Sequence, residues 1–207
     1  MSNPEPDIYV YKMVVDNGGA PCITGKLLSL AICKPKIRKS AGLKSLVFGF
    51  GGKEYQERLI YIARVTGKLE GPSYYQQPQY ARRADCIYRV EEGRAVRKTS
   101  ARYHVNSDER KKDVGLHFEN AFVLLSNDFR YLGNKGTDDY KQRYLNIRAL
   151  IENLTQGHRR YHSTELRAAL LALKTEIWSN YRRMEVGSPT DKDFTRLCND
   201  ESPSANC

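Results

Sequence analysis

The sequence predicts an α+β fold, in which a small, mostly antiparallel β-barrel or curled sheet is followed by a C-terminal helical hairpin. As far as residue 136, short runs of β-branched and aromatic residues recur at the spacing of strands in antiparallel sheets. Strand, crossover helix and strand do not alternate, which argues against a doubly wound parallel sheet. After residue 137 the apolar residues recur at helical spacing.

Length and charge set the first limits on function. The chain has 207 residues and a formal net charge of +10, which suits one basic domain that attracts anionic partners such as nucleic acid or nucleotides. None of the five cysteines forms a C-x-x-C pair, and no metal site is predicted. The N-terminus carries no signal-like segment and no apolar run reaches the ~18 residues of a membrane span. We therefore expect a cytoplasmic protein with reduced thiols and no membrane partner.

Residues 8–15 form the clearest predicted strand. The run I-Y-V-Y-K-M-V-V is dense in β-branched and aromatic residues, and both of its faces are nearly apolar. Such a strand lies at the centre of a sheet or inside a barrel. The turn D-N-G-G-A-P at 16–21 ends it, because Asn and paired Gly supply positive φ and Pro fixes an extended backbone.

The next segment joins an ambiguous apolar run to a basic loop. Residues 27–33 are either a helical turn or a strand, since periodicity does not decide between them. Pro35 disfavours helical geometry at Lys34, so we expect any helix to end there. The cations of the predicted basic loop are Lys34, Lys36, Arg38 and Lys39. They either cradle a phosphate or form an ordinary solvated charge run.

Five further strands are predicted before the helices. They are residues 45–50, 58–66, 85–90, and a hairpin of 121–126 with 129–132. G-F-G-G at 49–52 marks a bulge or a close backbone approach, and its glycine spacing is wrong for a dinucleotide fingerprint. We expect 70–83 to form a short helix or an ordered loop, and 91–114 to be polar and partly mobile.

Two helices and a tail complete the chain. Residues 138–154 and 163–184 show amphipathic spacing, with Ser163 or Thr164 as the cap of the second helix. The predicted domains are therefore a β-rich unit at 7–136, a helical hairpin at 137–185 packed on it, and a flexible tail at 186–207.

Several polar residues are candidates for chemistry. His104 suits general acid–base work, with Asp16 or Asp113 orienting it, although a surface histidine in a loop is the simpler interpretation. Asp16 and Asn17 could read a base or ribose edge, or could be turn formers only. Cys22 and Cys33 include a possible nucleophile, although small buried cysteines are commoner.

Tyrosine is abundant, and several tyrosines stand beside arginines. The tyrosines of the segment 74–88 neighbour Arg82, Arg83 and Arg89. Interleaved aromatic and basic residues suit stacking on bases and contact with phosphates. They also occur in the core and rim of ordinary small β domains.

The order of these pieces resembles the nucleotide-modification-associated domain family, second type, which is known from bacteria, phages and mobile elements. The resemblance covers roughly residues 9–136, through Y-V-Y-K-M-V-V-D-N-G-G-A-P-C, S-L-A-I-C-K-P-K-I-R, V-F-G-F-G, L-I-Y-I-A-R-V, D-C-I-Y-R-V, an isolated His104, D-V-G and F-V-L-L-S-N-D-F-R-Y-L-G. The matching positions are Asp16, Gly18, Ala20, Pro21, Cys33, Lys34, Pro35, Arg38, Gly49, Tyr61, Tyr88, His104, Asp113, Ser126, Phe129, Tyr131 and Gly133. Leu43-Lys44 replaces the Gly-Asp usual in the family, which removes a carboxylate.

This resemblance implies a nucleotide or nucleic-acid binding domain associated with base or nucleotide modification, and it names no cofactor. The strand pair also looks like the core of PUA-like small barrels, some of which hold a flipped base. The expected ligand-binding residues are Asn17, Cys33, Lys34, Arg38, Gly49, Tyr61 and Tyr88, and the expected catalytic residues are His104, Asp16 and Asp113. An enzyme with His104 as its acid–base group is one alternative. A protein-interaction subunit with an exposed apolar stripe at 166–181 is another.

Overall fold

The computed structural model describes residues 5–104, 107–155 and 157–191. The strands are β1 Ile8–Met13, β2 Cys22–Thr24, β3 Leu27–Leu30, β4 Leu46–Gly51, β5 Leu59–Arg64, β6 Gly67–Glu70, β7 Tyr88–Glu91, β8 Arg94–Arg97, β9 Phe122–Ser126, β10 Asp128–Tyr131 and β11 His158–Arg159. The helices are α1 Pro35–Ser40, α2 Ser73–Gln76, α3 Ser107–Asp113, α4 Tyr140–Arg143, α5 Leu145–Asn153 and α6 Thr164–Asn180. This is an α+β fold, as the sequence predicts.

The strands form three open sheets. The largest has the order β10-β5-β4-β1-β11, the second β2-β3-β9-β6, and the third pairs β7 with β8. Among the strands just named only the β1–β4 pair is parallel, so the sheets are mostly antiparallel as expected. Within the described chain no sheet closes on itself. Of the two predicted alternatives, a β-barrel or a curled sheet, the barrel is therefore not formed, and the likeness to PUA-like barrels is not confirmed.

Two strands cross from one sheet to the other at a corner. β5 leads into β6 and β9 leads into β10, each pair separated by one or two residues. The hairpin predicted for 121–132 is therefore wrong, because β9 pairs with β3 and β6 whereas β10 pairs with β5. At the corner the Ser126 hydroxyl donates to the Asp128 carbonyl (3.0 Å) and accepts from the Asp128 amide (3.2 Å), which bends the chain locally.

The large sheet is buried on both faces, which explains why its central strands are apolar on both sides. One face packs against the helices through a core formed by Ile8, Val10, Phe48, Phe50, Ile62, Ile147, Ile151, Leu170, Leu173 and Ile177. The other packs against the second sheet and α1 through Tyr9, Tyr11, Met13, Leu28, Leu30, Ile37, Val47, Tyr61, Ala63, Leu124, Phe129 and Tyr131. The apolar stripe predicted on residues 166–181 is covered by the sheet. It is therefore not an exposed docking face.

Three helix boundaries differ from prediction, one of them because α6 ends at Asn180 and not at residue 184. Pro35 begins a helix instead of ending one, because the first helical position needs no backbone N–H and favours the fixed φ of proline. The predicted helix at 138–154 is two helices, since Tyr144 leaves helical geometry (φ −126°, ψ 76°) between α4 and α5. The second predicted helix begins as expected, with the Ser163 hydroxyl accepting from the Leu166 amide at 3.2 Å. None of the described helices is long and apolar enough to cross a membrane.

The connection between α5 and α6 adds an edge strand to the large sheet. β11 pairs antiparallel with β1, placing Arg159 opposite Val10 and His158 opposite Tyr11. This two-residue strand was not predicted, because it is too short to show a periodicity.

Residues 184–191, the C-terminal strap, lie across the end of β10. The Tyr131 amide donates to the Met184 carbonyl (2.8 Å), and the Val186 amide donates to the Tyr131 carbonyl (2.9 Å). The amide and hydroxyl of Thr190 both donate to the Asp16 carboxylate. The flexible tail predicted from residue 186 therefore does not begin before the end of this strap, and the remainder of that tail, 192–207, lies outside the described residues.

Candidate functional site

A buried polar group, the histidine cluster, consists of Cys33, Arg38, Tyr88, His104 and Asp113. The Tyr88 hydroxyl shares a hydrogen bond with His104 Nδ1 at 2.9 Å. Asp113 Oδ2 lies 3.7 Å from the same nitrogen, and Cys33 Sγ lies 3.7 Å from Nε2. The side chain of His104 is only about 5% exposed. The expected surface histidine is therefore an interior group with a carboxylate and a phenol on one ring nitrogen.

Arg38 connects the segments of this cluster through hydrogen bonds. It is completely buried, and its guanidinium donates to the carbonyls of Cys33 (2.7 Å), Phe122 (2.6 Å) and Asp113 (2.9 Å), and to the Asp113 carboxylate. Arg38, which we expected to bind phosphate, therefore directs its donors into the core. Its donors already serve the backbone and a carboxylate, because the helix α1 turns it into the core.

The environment of the Asp113 carboxyl has two opposing effects on its pKa. Burial raises its pKa to about 6, although the nearby Arg38 and a hydrogen bond from the Cys33 backbone oppose the shift. A carboxyl that titrates there can exchange a proton near neutrality. Among the described residues its Oδ2 has no hydrogen-bond partner, and this is the oxygen that faces His104.

A second buried group, the aspartate cluster, consists of Tyr11, Asp16, Tyr61, Tyr131 and Thr190. The Tyr131 hydroxyl donates to Asp16 Oδ1 at 2.7 Å, and Thr190 donates to Oδ2 from its amide (3.1 Å) and its hydroxyl (3.0 Å). Burial raises the pKa of Asp16, which these hydrogen bonds oppose. Since both carboxylate oxygens are engaged within the chain, Asp16 fixes the strap to the turn.

Tyr61 lies opposite Tyr131 in the sheet and packs with it and Tyr11 in one core, and the hydroxyls of Tyr61 and Tyr11 share a hydrogen bond at 2.9 Å. Gly49 makes room for this pair, because a Cβ at this position would overlap the Tyr61 ring. The close backbone approach predicted for G-F-G-G therefore occurs at Gly49, where it accommodates the Tyr61 ring. The missing side chain lets the Tyr61 ring approach the backbone of β4 closely.

The two clusters are neighbours through adjoining residues. Lys34 follows Cys33 in the chain, and its Nζ lies 5.1 Å from the centroid of the Tyr11 ring. Tyr103 precedes His104, and its hydroxyl donates to the Asn17 carbonyl at 3.1 Å. The structure thus brings together the predicted segments 16–21, 33–38 and 104. Asp113, and not Asp16, is the carboxylate beside His104.

The backbone is strained where these segments meet. Cys33 (φ 57°), Lys34 (φ 47°) and His104 (φ 55°) all adopt the left-handed conformation, which costs a non-glycine residue roughly 1–2 kcal/mol. Arg97 helps to enforce it at His104 by donating to the carbonyls of Tyr103 (2.9 Å) and Ala101 (2.6 Å). This gives Arg97 a structural role in the segment 91–114, which we expected to be polar and partly mobile.

The cysteines differ in state. Cys22 and Cys86 are free and buried, and burial raises the pKa of the Cys22 thiol to about 11. Cys33 is disulfide-bonded in this structure, so the expectation of reduced thiols is wrong for this residue. Neither free thiol has the lowered pKa of a nucleophile.

Sequence reasoning missed the residues that engage Asp16. Tyr131 matched a family position without a role, and Thr190 falls in the predicted tail. A Ser-Pro-Thr-Asp run at 188–191 could have signalled an ordered cap, because hydroxyl and carboxylate side chains near proline fix turns.

The comparisons with known proteins agree with the resemblance seen in the sequence. Residues 5–196 match the family model for nucleotide modification associated domain 2, and the chain belongs to this family. The match extends well beyond residue 136, where we expected the resemblance to end, and includes the helices and the strap. No curated protein and no solved structure shows significant similarity to the chain.

Proposed function

We propose that the chain binds a nucleotide, free or within a nucleic acid, where the histidine and aspartate clusters meet, and that this binding serves modification of the nucleotide. The strained backbone at Cys33, Lys34 and His104 carries the proposal. Left-handed residues from two distant segments converge there, and such strain persists where a fold positions side chains for a ligand. The family's association with nucleotide modification supports the ligand class.

Lys34 is the cation best placed to meet a phosphate. Arg38 is engaged in the core, whereas Lys34 is half-buried at the start of α1 and packs over the Tyr11 ring. The net charge of +10 adds a long-range attraction for anions. The phosphate expected at the basic loop is therefore assigned to Lys34 alone among the predicted ligand-binding cations.

Thermal denaturation of the full chain with nucleotides, modified nucleosides and short oligonucleotides tests this proposal. A ligand at 100 times its Kd stabilises the folded state by about 2.7 kcal/mol, which is a readily measured rise in Tm. Lys34→Gln should reduce the rise, and Lys53→Gln, an exposed lysine elsewhere, should not. If no nucleotide, nucleoside or oligonucleotide shifts Tm at low salt, the proposal is wrong.

A second function, catalysis by His104, is supported by one observation. His104 Nδ1 lies 2.9 Å from the Tyr88 hydroxyl and 3.7 Å from Asp113 Oδ2. The hydrogen bond with the Tyr88 phenol orients the ring through Nδ1, and the nearby Asp113 carboxyl would stabilise an imidazolium, so that the ring can give or take a proton. We infer that His104 is the acid–base group if the site performs chemistry.

Mass spectrometry of nucleosides separates binding from catalysis. DNA and RNA from cells that make the protein would be digested and compared with those from cells that make His104→Gln or the control Lys53→Gln. A modified nucleoside present with wild type and Lys53→Gln but absent with His104→Gln supports catalysis. A modified nucleoside that persists with His104→Gln would exclude His104 as the acid–base group.

A further inference from the structure

An open cleft of about 520 Å³ lies beside the candidate site, between α1 and the edge strand β11. Its lining residues are Lys36, Lys39, Ser40, His158, Arg159, Arg160 and Tyr161. Lys36 and Lys39 come from one face of α1, where residues three apart are neighbours. The pairing of β11 with β1 brings His158 and its neighbours next to α1.

Among the described residues, the lining of the cleft has four cations and no acidic side chain. Arg160 pairs with Asp7 outside the cleft at 2.9 Å. Lys36, Lys39 and Arg159 are exposed, and none of them forms an ion pair within the described ranges. Burial is the main cause that lowers the pKa of His158, and the charges of Lys36, Lys34 and Arg160 lower it further because they make this place electropositive. An anion entering the cleft would therefore meet uncompensated positive charge.

Two tyrosines add a second, independent indication of a ligand. Tyr9 is fully buried, and its hydroxyl has no hydrogen-bond partner among the described residues. Its ring lies 5.8 Å from the His158 ring and 5.7 Å from the Arg160 guanidinium, so it forms the floor under two lining residues. Tyr161 is 82% exposed, with the Arg160 guanidinium 5.7 Å from its ring centroid. An exposed ring beside an arginine is a platform on which an unpaired base can stack.

We propose that this cleft binds a single-stranded nucleic acid, with phosphates on Lys36, Lys39 and Arg159 and a base stacked on Tyr161. This proposal rests on the proposed function only because both assume the same class of ligand. It names the substrate as a polynucleotide instead of a free nucleotide. A single strand is favoured over a duplex because an exposed tyrosine can stack only on a base that is not already paired and stacked in a helix.

The geometry connects the cleft to the candidate site. Tyr9 and Tyr11 lie two residues apart on one face of β1, a separation of roughly 7 Å. Tyr9 lies under the cleft, and Tyr11 belongs to the aspartate cluster and contacts Lys34. A single-stranded nucleic acid held in the cleft would therefore pass beside the candidate site, and one of its nucleotides could enter that site.

Fluorescence anisotropy with a labelled oligothymidylate, titrated at several salt concentrations, tests the proposal on the full chain. The double variant Lys36→Gln/Lys39→Gln should bind more weakly, and its slope of log K against log salt should be shallower by about 0.7 for each phosphate that the variant no longer binds. The matched control Lys26→Gln/Lys53→Gln removes the same charge from exposed positions outside the cleft, and its slope should match that of wild type. Equal slopes for both double variants would overturn the proposal.

Tyr161 tests the stacking separately from the charge. Tyr161→Ala should weaken binding roughly 5- to 150-fold, as expected when one base–aromatic stack is removed, whereas Tyr161→Phe should bind like wild type. Competition with duplex DNA and with polyglutamate identifies the ligand class. If duplex DNA or polyglutamate, added at the same total charge, displaces the labelled probe as effectively as unlabelled oligothymidylate does, the cleft is a general polyanion surface and the proposal is overturned.

Failure of this proposal is distinguishable from failure of the proposed function. If a nucleotide raises Tm equally in wild type and Lys36→Gln/Lys39→Gln while no variant alters oligothymidylate binding, the cleft proposal alone is wrong. If the oligonucleotide binds through the cleft but no nucleotide shifts Tm, the site proposal is wrong and the cleft proposal stands.

Discussion

Arg38 is a completely buried cation, and its hydrogen bonds explain the shape of the histidine cluster. One guanidinium joins the carbonyl before the strained Lys34, the end of α3 at Asp113 and the start of β9. A buried ion pair adds little net stability against an apolar pair of the same shape. Its value lies in specifying one arrangement, and here that arrangement places Asp113 beside His104.

Replacing Arg38 should therefore destabilise the protein instead of merely weakening ligand binding. Arg38→Met leaves Asp113 buried without its cation, which typically costs about 3–5 kcal/mol. Lys39→Met, at the exposed next position of α1, should change the free energy of unfolding by less than about 0.5 kcal/mol. Urea denaturation of both variants measures this. Equal stabilities for the two would show that Arg38 has no structural role.

The Asp113 carboxyl predicts a pH dependence of a particular sign. Its pKa is raised from 3.8 to about 6 on folding, so between these values the folded state binds more protons than the unfolded state. The contribution of Asp113 to the free energy of unfolding is therefore present in full below about pH 4 and is lost as pH rises through about 6. The free energy of unfolding changes by about 3 kcal/mol over this range.

The free energy of unfolding of wild type relative to Asp113→Asn, measured from pH 4 to pH 7, isolates this group from the other carboxyls. We expect the difference to move against wild type as pH rises. A difference that moves in favour of wild type would mean that Arg38, and not burial, dominates the pKa of Asp113.

At the scale of elements, β4 and β5 depend on a glycine that lets a ring approach the backbone. Gly49→Ala should place a methyl group inside the Tyr61 ring, and overpacking of this kind costs roughly 1–3 kcal/mol. Gly42→Ala is the control, because that position has open space and no positive φ. It should be neutral or slightly stabilising. Chemical denaturation of the pair measures the contrast, and similar stabilities would show that Tyr61 moves aside easily.

The C-terminal strap supplies a second test at this scale. A chain ending at Arg183 loses the hydrogen bonds of Tyr131 to the strap and those of Thr190 to Asp16. At about 0.5–1.5 kcal/mol each, their loss should destabilise the fold by about 3 kcal/mol or more in reducing buffer. A chain ending at Asp191 keeps these bonds and should be much less affected. If both truncations have the same stability, the strap does not hold the Asp16 turn.

Elements with strong local signals were predictable, and those fixed by distant partners were not. β1 shows its central position through apolar residues on both faces, and α6 shows its start through Ser163. The pairing of β9 and β10 depends on which sheet each enters, and the residues of the turn between them do not encode this. β11 exists only because β1 offers it an edge.

For the candidate site, the sequence identifies the segments but not the direction in which each side chain points. Asp16, Cys33, Lys34 and His104 stand out because turn residues, a proline step and an isolated histidine are visible locally. Helical geometry decides that Arg38 enters the core while Lys36 and Lys39 face the cleft. A basic loop predicted from charge alone therefore contains both a structural and a surface cation.

At the scale of the whole molecule, the large sheet is the layer between two cores. Helices α5 and α6 cover one face, and the second sheet with the candidate site covers the other. Strands β1, β4 and β5 contribute side chains to both cores. We infer that the helices are part of the folding unit that supports the site, in agreement with a family match that runs through them.

This arrangement predicts that the β-rich part cannot fold alone. A fragment of residues 5–136 would expose the apolar face formed by Ile8, Val10, Phe48, Phe50 and Ile62, a patch that favours aggregation or a loosely packed state. We expect the fragment to bind a hydrophobic dye and to lack near-UV circular dichroism, while residues 5–191 unfold in a single cooperative transition.

Point variants in the longer chain test the same packing. Ile177→Ala should lower the free energy of unfolding by about 2–5 kcal/mol, whereas Leu145→Ala, at an exposed helix position, should lower it by less than about 0.5 kcal/mol. A fragment that unfolds cooperatively with wild-type stability would instead show that the helices are an independent appendage.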